Sequence, residues 1–205
     1  MALTNVVSPA DTSTDTTTQE DSQWIYERIC STLLHLIRLR RDICTGHAPS
    51  LALLMSTLMR LLLQLRPSLG MGAWRSHNSI MPSWINAEIP PDSLSRLLEA
   101  LLAKTIPITS HEKTQVGVAS SMKEAFARHA YIILHTYAQG NTSSASFYPA
   151  NIRVGLQPGL FALCECVDTH REREFMLSGL TDEGARSVIK TLWKEYDSQK
   201  YVGMS

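Results

Sequence analysis

The sequence predicts an all-α protein, either an antiparallel helical bundle or the end of an α-solenoid built from helical repeats. Three observations support this prediction. Apolar residues recur at three- and four-residue spacing over long segments, breaks marked by Pro and Gly separate those segments, and no segment has the alternating pattern of a competing strand. Successive helices joined in this way favour antiparallel packing, although the sequence contains no clear internal repeat.

Length and composition indicate one globular domain that follows a tail. The chain has 205 residues, 44% of them hydrophobic, and 19 basic residues balance 19 acidic residues. Residues 1–22 are rich in Thr, Ser and Asp, so we expect a disordered tail there and a single helical domain over 23–205. The tail lacks the basic and apolar regions of a secretory signal. A net charge of zero provides no global field that favours nucleic acid or an anionic membrane.

Two helices are predicted in the first third of the domain, over about 22–44 and over 50–65. The apolar side of the first helix is predicted to consist of Ile25, Ile29, Leu36 and Ile43. The second helix contains the most apolar run of the chain, 15 residues with one Arg, which is too short to cross a bilayer and predicts a buried helix. Seven Arg residues in 24–75 against Glu27 and Asp42 give this region a local charge of +5, a moderate indication of an anionic neighbour.

The middle of the chain is predicted to alternate irregular segments with three helices. Residues 66–91 hold four Pro and two Gly and should be irregular. Helices are predicted over 92–104, where Asp92 can cap the first turn, and over 112–138. Pro158 suits the first position of a further helix over 158–167, because its missing N–H would be an unpaired donor there.

The final helix has the clearest pattern, with Thr181 as its predicted cap and Asp182 and Glu183 in its first turn. Its apolar stripe predicts a structural core formed by Val188, Ile189, Leu192, Trp193 and Tyr196. The opposite side carries a row at i, i+4 and i+8, formed by Arg186, Lys190 and Lys194. We identify this row as the candidate contact for a partner. Asp197, three residues after Lys194, can neutralise part of its charge.

The sequence predicts no catalytic residue, no cofactor site and no metal site. Cys164 and Cys166 look like a metal pair, but residues i and i+2 of a helix point about 200° apart, and no second pair completes four ligands. His129 and His135 are six residues apart and do not share a helix face as a zinc pair would. Nucleotide-binding and hydrolase motifs are absent from the sequence. We therefore expect a protein that is not an enzyme, with a thiol enzyme using Cys164 or Cys166 and His170 as an alternative.

Two C-terminal segments resemble a known family. They are LQPGLFALCECVD at 156–168 and LSGLTDEGARSVIKTLWKEYDSQKYVG at 177–203. Both are similar to the C-terminal domain of the nucleolar 27S pre-rRNA processing family, also called unhealthy ribosome biogenesis protein 2 or nucleolar pre-ribosomal-associated protein 2. The segment KEAFARHAYIILHTYAQ at 123–139 looks like the preceding helix of the family. The likeness covers about 84–203 and is weaker over 24–65.

The resemblance implies a non-catalytic scaffold or adaptor in ribosome biogenesis, without a cofactor and without a membrane. It implies a place in the nucleus, in the nucleolus, and support for early assembly of the large-subunit (60S) precursor and for 27S pre-rRNA processing. The implied partners are pre-60S assembly factors, among them nucleolar pre-ribosomal-associated protein 1 and a DEAD-box helicase, and direct contact with pre-rRNA is left open. Two alternatives remain: an RNA-binding helical domain that acts through the Arg-rich N-terminal helices, and a truncated fragment with no independent function.

Overall fold

Eight helices and no strands form the part of the chain that the structure describes, which confirms the prediction of an all-α protein. The structure is a computed structural model and describes residues 12–64, 89–103, 122–142 and 150–202. The helices are α1 (Thr12–Leu39), α2 (Arg41–Gly46), α3 (Ala48–Gln64), α4 (Asp92–Glu99), α5 (Met122–Thr142), α6 (Ala150–Cys166), α7 (His170–Gly179) and α8 (Glu183–Val202). Residues 1–11 of the predicted tail and most of the segment predicted to be irregular lie outside these ranges.

The helix α5 is the centre of the described fold, because it packs against α3, α6 and α8 and also touches α2. Its buried side chains recur at three- and four-residue spacing, and the largest are Phe126, Ile133, Leu134 and Tyr137. They belong to one apolar cluster to which α1, α2, α3, α4, α6, α7 and α8 also contribute. A single core therefore joins the N-terminal helices to the C-terminal helices.

The contact of α3 with α5 contains a buried polar pair. Ser56 Oγ lies 2.7 Å from Thr136 Oγ1, and Thr136 Oγ1 in turn donates to the Ile132 carbonyl at 3.0 Å. Because Thr136 uses its proton on that carbonyl, Ser56 is the donor to Thr136. Both hydroxyls are satisfied inside an apolar interface, where an unpaired hydroxyl would be costly.

The helices α4 and α6 approach each other to backbone contact. A Cβ atom added at Gly159 would lie 2.8 Å from Ser95 Cα and 2.9 Å from the Ser95 carbonyl oxygen. The Gly159 N–H donates to Ser95 Oγ at 2.9 Å, so this close contact also satisfies a buried hydroxyl. One turn earlier, a Cβ atom at Gly155 would overlap the ring of Pro91. Two glycines four residues apart therefore allow the crossing, as small residues do at other close helix contacts.

The first predicted helix differs from the observed α1 and α2 in its ends. The helix α1 begins at Thr12 rather than near Ser22, because extending an existing helix costs far less than starting one. The chain breaks at Arg40, and α2 starts at Arg41. The Arg41 guanidinium donates to the carbonyls of Ala100 and Ala103 and so caps the end of α4, which stops at Glu99 and not at Lys104.

The predicted apolar side of the first helix is wrong as a buried face. Its four residues are 39–43% exposed in the structure, and the buried residues instead are Tyr26, Cys30, Ile37 and Cys44. The Tyr26 hydroxyl donates to the Leu58 carbonyl at 3.2 Å, which ties the buried face of α1 to α3. This helix has two apolar stripes. The prediction relied on large aliphatic residues and therefore chose the stripe that is exposed in the structure.

Two further corrections concern α6 and α7. Pro158 lies in the middle of α6, which starts at Ala150, and not at the start of a helix. Pro158 and Val154, whose carbonyl loses its helical donor, are both exposed, so water can replace the missing hydrogen bond. The sequence predicts no helix between 167 and the final helix, whereas the structure contains the ten-residue α7 there. Thr169 caps α7 in a capping box with Glu172.

We predict that Gly159→Ala lowers the free energy of unfolding by about 1–3 kcal/mol, because the new methyl group must displace the Ser95 backbone. The matched control is Gly179→Ala in α7, where nothing lies within 4 Å of the added atom. Urea unfolding followed by circular dichroism gives both values. Equal and small changes in the two variants would show that α4 and α6 are not held in this close contact.

Candidate partner-binding surface

The helix α8 has one buried face and one exposed face. Ile189, Leu192, Trp193 and Tyr196 are all at most 7% exposed, and Val188 is half-buried against the same cluster. They are the five residues that the sequence assigns to the core of this helix. The buried face packs on α5 and on α6. Because this packing fixes the position of α8, the side chains on its outer face are held on a rigid support.

The cap of α8 is Asp182 rather than the predicted Thr181. The Asp182 carboxylate accepts from the N–H of Gly184 at 3.2 Å and from the N–H of Ala185 at 3.0 Å. These two backbone donors hold the pKa of the Asp182 carboxyl below its usual range. The helix therefore begins at Glu183, one residue later than a Thr181 cap would place it.

The structure separates the three residues of the predicted partner-contact row. Lys190 and Lys194 are exposed, and neither forms an ion pair with any residue that the structure describes. Arg186 is half-buried, and its Nε donates to the Leu180 carbonyl at 2.6 Å. Arg186 thus stabilises the turn between α7 and α8. The two lysines alone present free positive charge on this side of the helix.

Arg173 of α7 binds the acid that was expected to neutralise the row. Its Nη1 and Nη2 atoms donate to the two carboxylate oxygens of Asp197 at 2.9 and 3.0 Å. Its guanidinium also lies 5.4 Å from the centroid of the Trp193 ring. Both carboxylate oxygens of Asp197 are therefore occupied by Arg173. Sequence reasoning missed Arg173, because its contacts with Asp197 and Trp193 join two different helices and leave no pattern within one helix.

Asp168 extends this network between α7 and α8. It accepts from Lys200 Nζ at 2.9 Å and from Arg173 Nη2 at 3.3 Å. The hydrogen bond from Lys200 is the main reason why the pKa of the Asp168 carboxyl is lowered. Residues from the end of α6, from α7 and from α8 are thus joined by charge as well as by apolar packing.

A cleft of about 410 Å³ lies between α5, α6 and α8, and neither Lys190 nor Lys194 is among the residues that line it. Arg153 and Glu195 line it and form an ion pair with each other. Ser187 and Thr191 line it as well, and they continue toward the outer face of α8. The cleft therefore offers hydroxyl groups and a paired charge.

All four cysteines of the chain are buried, as structural core residues are. Cys30, Cys44, Cys164 and Cys166 are free and at most 3% exposed. Burial raises the pKa of the Cys164 and Cys166 thiols to about 12, so both thiols are protonated at neutral pH.

Over the ranges that the structure describes, no three His, Cys, Asp or Glu side chains are grouped so that they could hold a metal ion. None of the described helices is long and apolar enough to cross a membrane.

The fold and its surface define an all-helical domain with a continuous apolar core and an outer face of free lysines on its last helix. The model of the Urb2/Npa2 family matches residues 1–204, so the chain belongs to the Urb2/Npa2 family. This match confirms the resemblance seen in the C-terminal segments and also covers the N-terminal helices. It links the chain to ribosome biogenesis. Neither the curated proteins nor the solved structures provide a match.

We predict that a maleimide reagent labels the native chain slowly and the unfolded chain rapidly. The reason is that a thiol with a raised pKa in an apolar core presents almost no thiolate and little access. Labelling followed by mass spectrometry, with and without urea, measures both rates. Rapid labelling of Cys164 or Cys166 in the folded chain would favour the thiol-enzyme alternative.

We also predict that Asp168→Asn lowers the melting temperature at pH 7. The Asp168 carboxyl has a lowered pKa in the folded chain. Its contribution to the stability of the fold is therefore present above the unfolded-state pKa of about 3.9 and is lost as the pH falls through the pKa of the folded state. The difference between the variant and the natural chain should therefore shrink as the pH is lowered from 5 toward about 2. A difference that stays constant over this range would mean that the charge of Asp168 does not stabilise the fold.

Proposed function

We propose that the chain is a non-catalytic scaffold or adaptor that supports early assembly of the large-subunit precursor and 27S pre-rRNA processing in the nucleolus. The observation that carries this proposal is the Urb2/Npa2 family match over nearly the whole chain. The all-helical core and the exposed faces of its helices suit a protein that positions other components. The proposed partners are other pre-60S assembly factors, including nucleolar pre-ribosomal-associated protein 1 and a DEAD-box helicase.

The outer face of α8 is the proposed contact for one of these partners. Lys190 and Lys194 lie one turn apart, are exposed and are not neutralised within the described structure. Their helix is fixed by its buried face, so the two charges keep a constant spacing. An acidic protein surface fits two spaced ammonium groups flanked by Ser187 and Thr191.

The outer face of α8 has few free charges, which favours a protein surface over RNA as its partner. Tight binding to a phosphate backbone depends on many simultaneous contacts and falls steeply with salt. The Arg-rich N-terminal helices contribute less free charge than their sequence indicates. Arg40 binds Asp42 at 3.1 Å, and Arg41 caps α4. Arg28 and Arg38 are exposed but lack interleaved aromatic residues for stacking.

We predict that Lys190→Glu combined with Lys194→Glu leaves the fold intact and reduces co-purification with 27S precursor particles at least about tenfold. Exposed charges contribute little to folding, whereas reversed charges repel an acidic partner. The matched control is Arg60→Glu with Arg128→Glu, two exposed cations on α3 and α5. Each tagged variant is compared with the natural chain by circular dichroism and by quantifying precursor RNA and assembly factors.

The outcomes separate the parts of the proposal. Loss of association in the α8 variant alone supports this contact. If the natural chain, the α8 variant and the control variant associate equally with the particles, α8 is not the contact. The scaffold role would then have to depend on another face of the domain. Absence of the natural chain from nucleolar precursor particles would contradict the scaffold role itself. Direct RNA binding by the purified chain, with a steep salt dependence, would favour the RNA-binding alternative instead.

A further inference from the structure

The wall of the cleft between α5, α6 and α8 carries two hydroxyl groups without a bound partner. Ser187 and Thr191 are exposed, line the cleft and lie one turn apart on α8. Thr57 of α3 and Ser198 of α8 show the usual state of an exposed hydroxyl on a helix, since each donates to a backbone carbonyl of the preceding turn. The side chains of Ser187 and Thr191 form no hydrogen bond with any residue in the four described ranges. Both hydroxyls are therefore available to a ligand.

Arg153 of α6 lines the same cleft and has unused donors. It forms its ion pair with Glu195 of α8 through one nitrogen, Nη2. A guanidinium carries five N–H donors, so a single contact with one carboxylate leaves most of them free. The side chain of Arg153 is 55% exposed, and these donors are accessible from the solvent. Arg153 therefore offers a positive group that Glu195 alone does not saturate.

The neighbouring ion pair on α8 shows how a second acid completes such a group. Arg173 binds Asp197, two residues after Glu195, and its Nη2 also donates to Asp168 at 3.3 Å. Two carboxylates from different parts of the chain thus share one guanidinium. Among the described residues, no second carboxylate binds Arg153. The cleft that Arg153 lines has a volume of about 410 Å³, which is within the usual range of ligand sites and admits a carboxylate side chain.

We propose that the cleft binds the side-chain carboxylate of an Asp or Glu residue from an acidic segment of a partner protein. Arg153 supplies the charge, and Ser187 and Thr191 supply neutral donors along the wall. Lys190 and Lys194 follow the two hydroxyls by three residues each, a spacing that makes neighbours on a helix surface. The segment that enters the cleft therefore passes a cationic rim, which complements its own charge. That the partner belongs to the precursor particle rests on the proposed function.

The charges along α8 indicate where in the cleft the carboxylate binds. Asp182 and Glu183 are exposed and directly precede Gly184, the first residue of α8 that lines the cleft. Thr191 lies one turn before Glu195, whose charge is offset by its ion pair. Because like charges repel, the end of the cleft near Gly184 is unfavourable for an anion. We therefore expect the carboxylate at the end near Thr191.

The test is an NMR titration of the full chain, isotope-labelled in nitrogen, with a synthetic peptide of alternating Glu and Gly. The control peptide has Gln in place of Glu. We expect the Glu peptide to shift the backbone signals of Ser187 and Thr191 and the side-chain Nε–H signal of Arg153, and the Gln peptide to leave all three unchanged. Equal shifts with both peptides, or shifts that exclude these residues, would overturn the proposal. A single-stranded RNA that shifts the same signals at a lower concentration than the Glu peptide would also overturn it.

Variants separate binding in the cleft from binding to the lysines. Ser187→Ala combined with Thr191→Ala changes no charge and introduces a better helix former, so its effect comes neither from the lysines nor from unfolding. We expect this double variant to raise the dissociation constant of the Glu peptide at least about threefold, and Arg153→Gln to raise it at least about fivefold, because each removes donors to a carboxylate. The matched control is Ser198→Ala on the same helix, whose hydroxyl is already bonded to a carbonyl and whose loss should change nothing. An unchanged constant for the double variant or for Arg153→Gln would overturn the proposal.

Co-purification with precursor particles distinguishes a failure of this inference from a failure of the proposed function. Weaker retention of the variant with Ser187→Ala and Thr191→Ala than of the natural chain would support use of the cleft in the particle. Equal retention of the two chains would overturn this inference and leave the scaffold role standing. Absence of the natural chain from the particles would contradict the scaffold role, while the peptide titration would still decide whether the cleft binds a carboxylate.

Discussion

Gly159 allows α4 and α6 to meet at backbone distance, and the arrangement of the other helices depends on that contact. The short helix α4 packs on α1 as well as on α6, so it connects the N-terminal helices to the C-terminal ones. Leu94, Leu97 and Leu98 of α4 are fully buried in this position. A larger residue at 159 would separate the two backbones, and the hydrogen bond from its N–H to Ser95 would lengthen with them. The contact thus sets where α6 can support α8.

The support of α8 explains why one of its faces is buried and the other is exposed. Apolar packing on α5 and α6 fixes one face, and the Arg173 pair with Asp197 fixes the end of the helix against α7. Lys190 and Lys194 remain exposed, and the two acids that follow Lys194 on this helix are held by other partners, Glu195 by Arg153 and Asp197 by Arg173. A scaffold needs such a division, since a contact face must keep its shape while a partner arrives and leaves. The proposed contact is therefore a consequence of the folding of the last three helices.

Local pattern in the sequence predicts the helices and the core of α8, because helical spacing and apolar content act within one segment. It fails where distant residues decide the outcome. Tyr26 and Cys30 are buried in α1 since α3 and α4 lie on that side, although Ile25 and Ile29 are the more apolar pair. Pro158 is tolerated inside α6 because it is exposed. The family resemblance located the function class, whereas the network around Arg173 appears only in three dimensions.

We propose that Lys190 and Lys194 contact another component of the precursor particle. Lysine acylation measured by mass spectrometry, on the free chain and on particles purified with it, tests this claim directly. Lys200, which is paired with Asp168, serves as the internal reference. We predict that Lys190 and Lys194 are acylated more slowly in the particle than in the free chain, relative to Lys200. Equal rates in the free and particle-bound chain would contradict it, because both ammonium groups would then still face solvent.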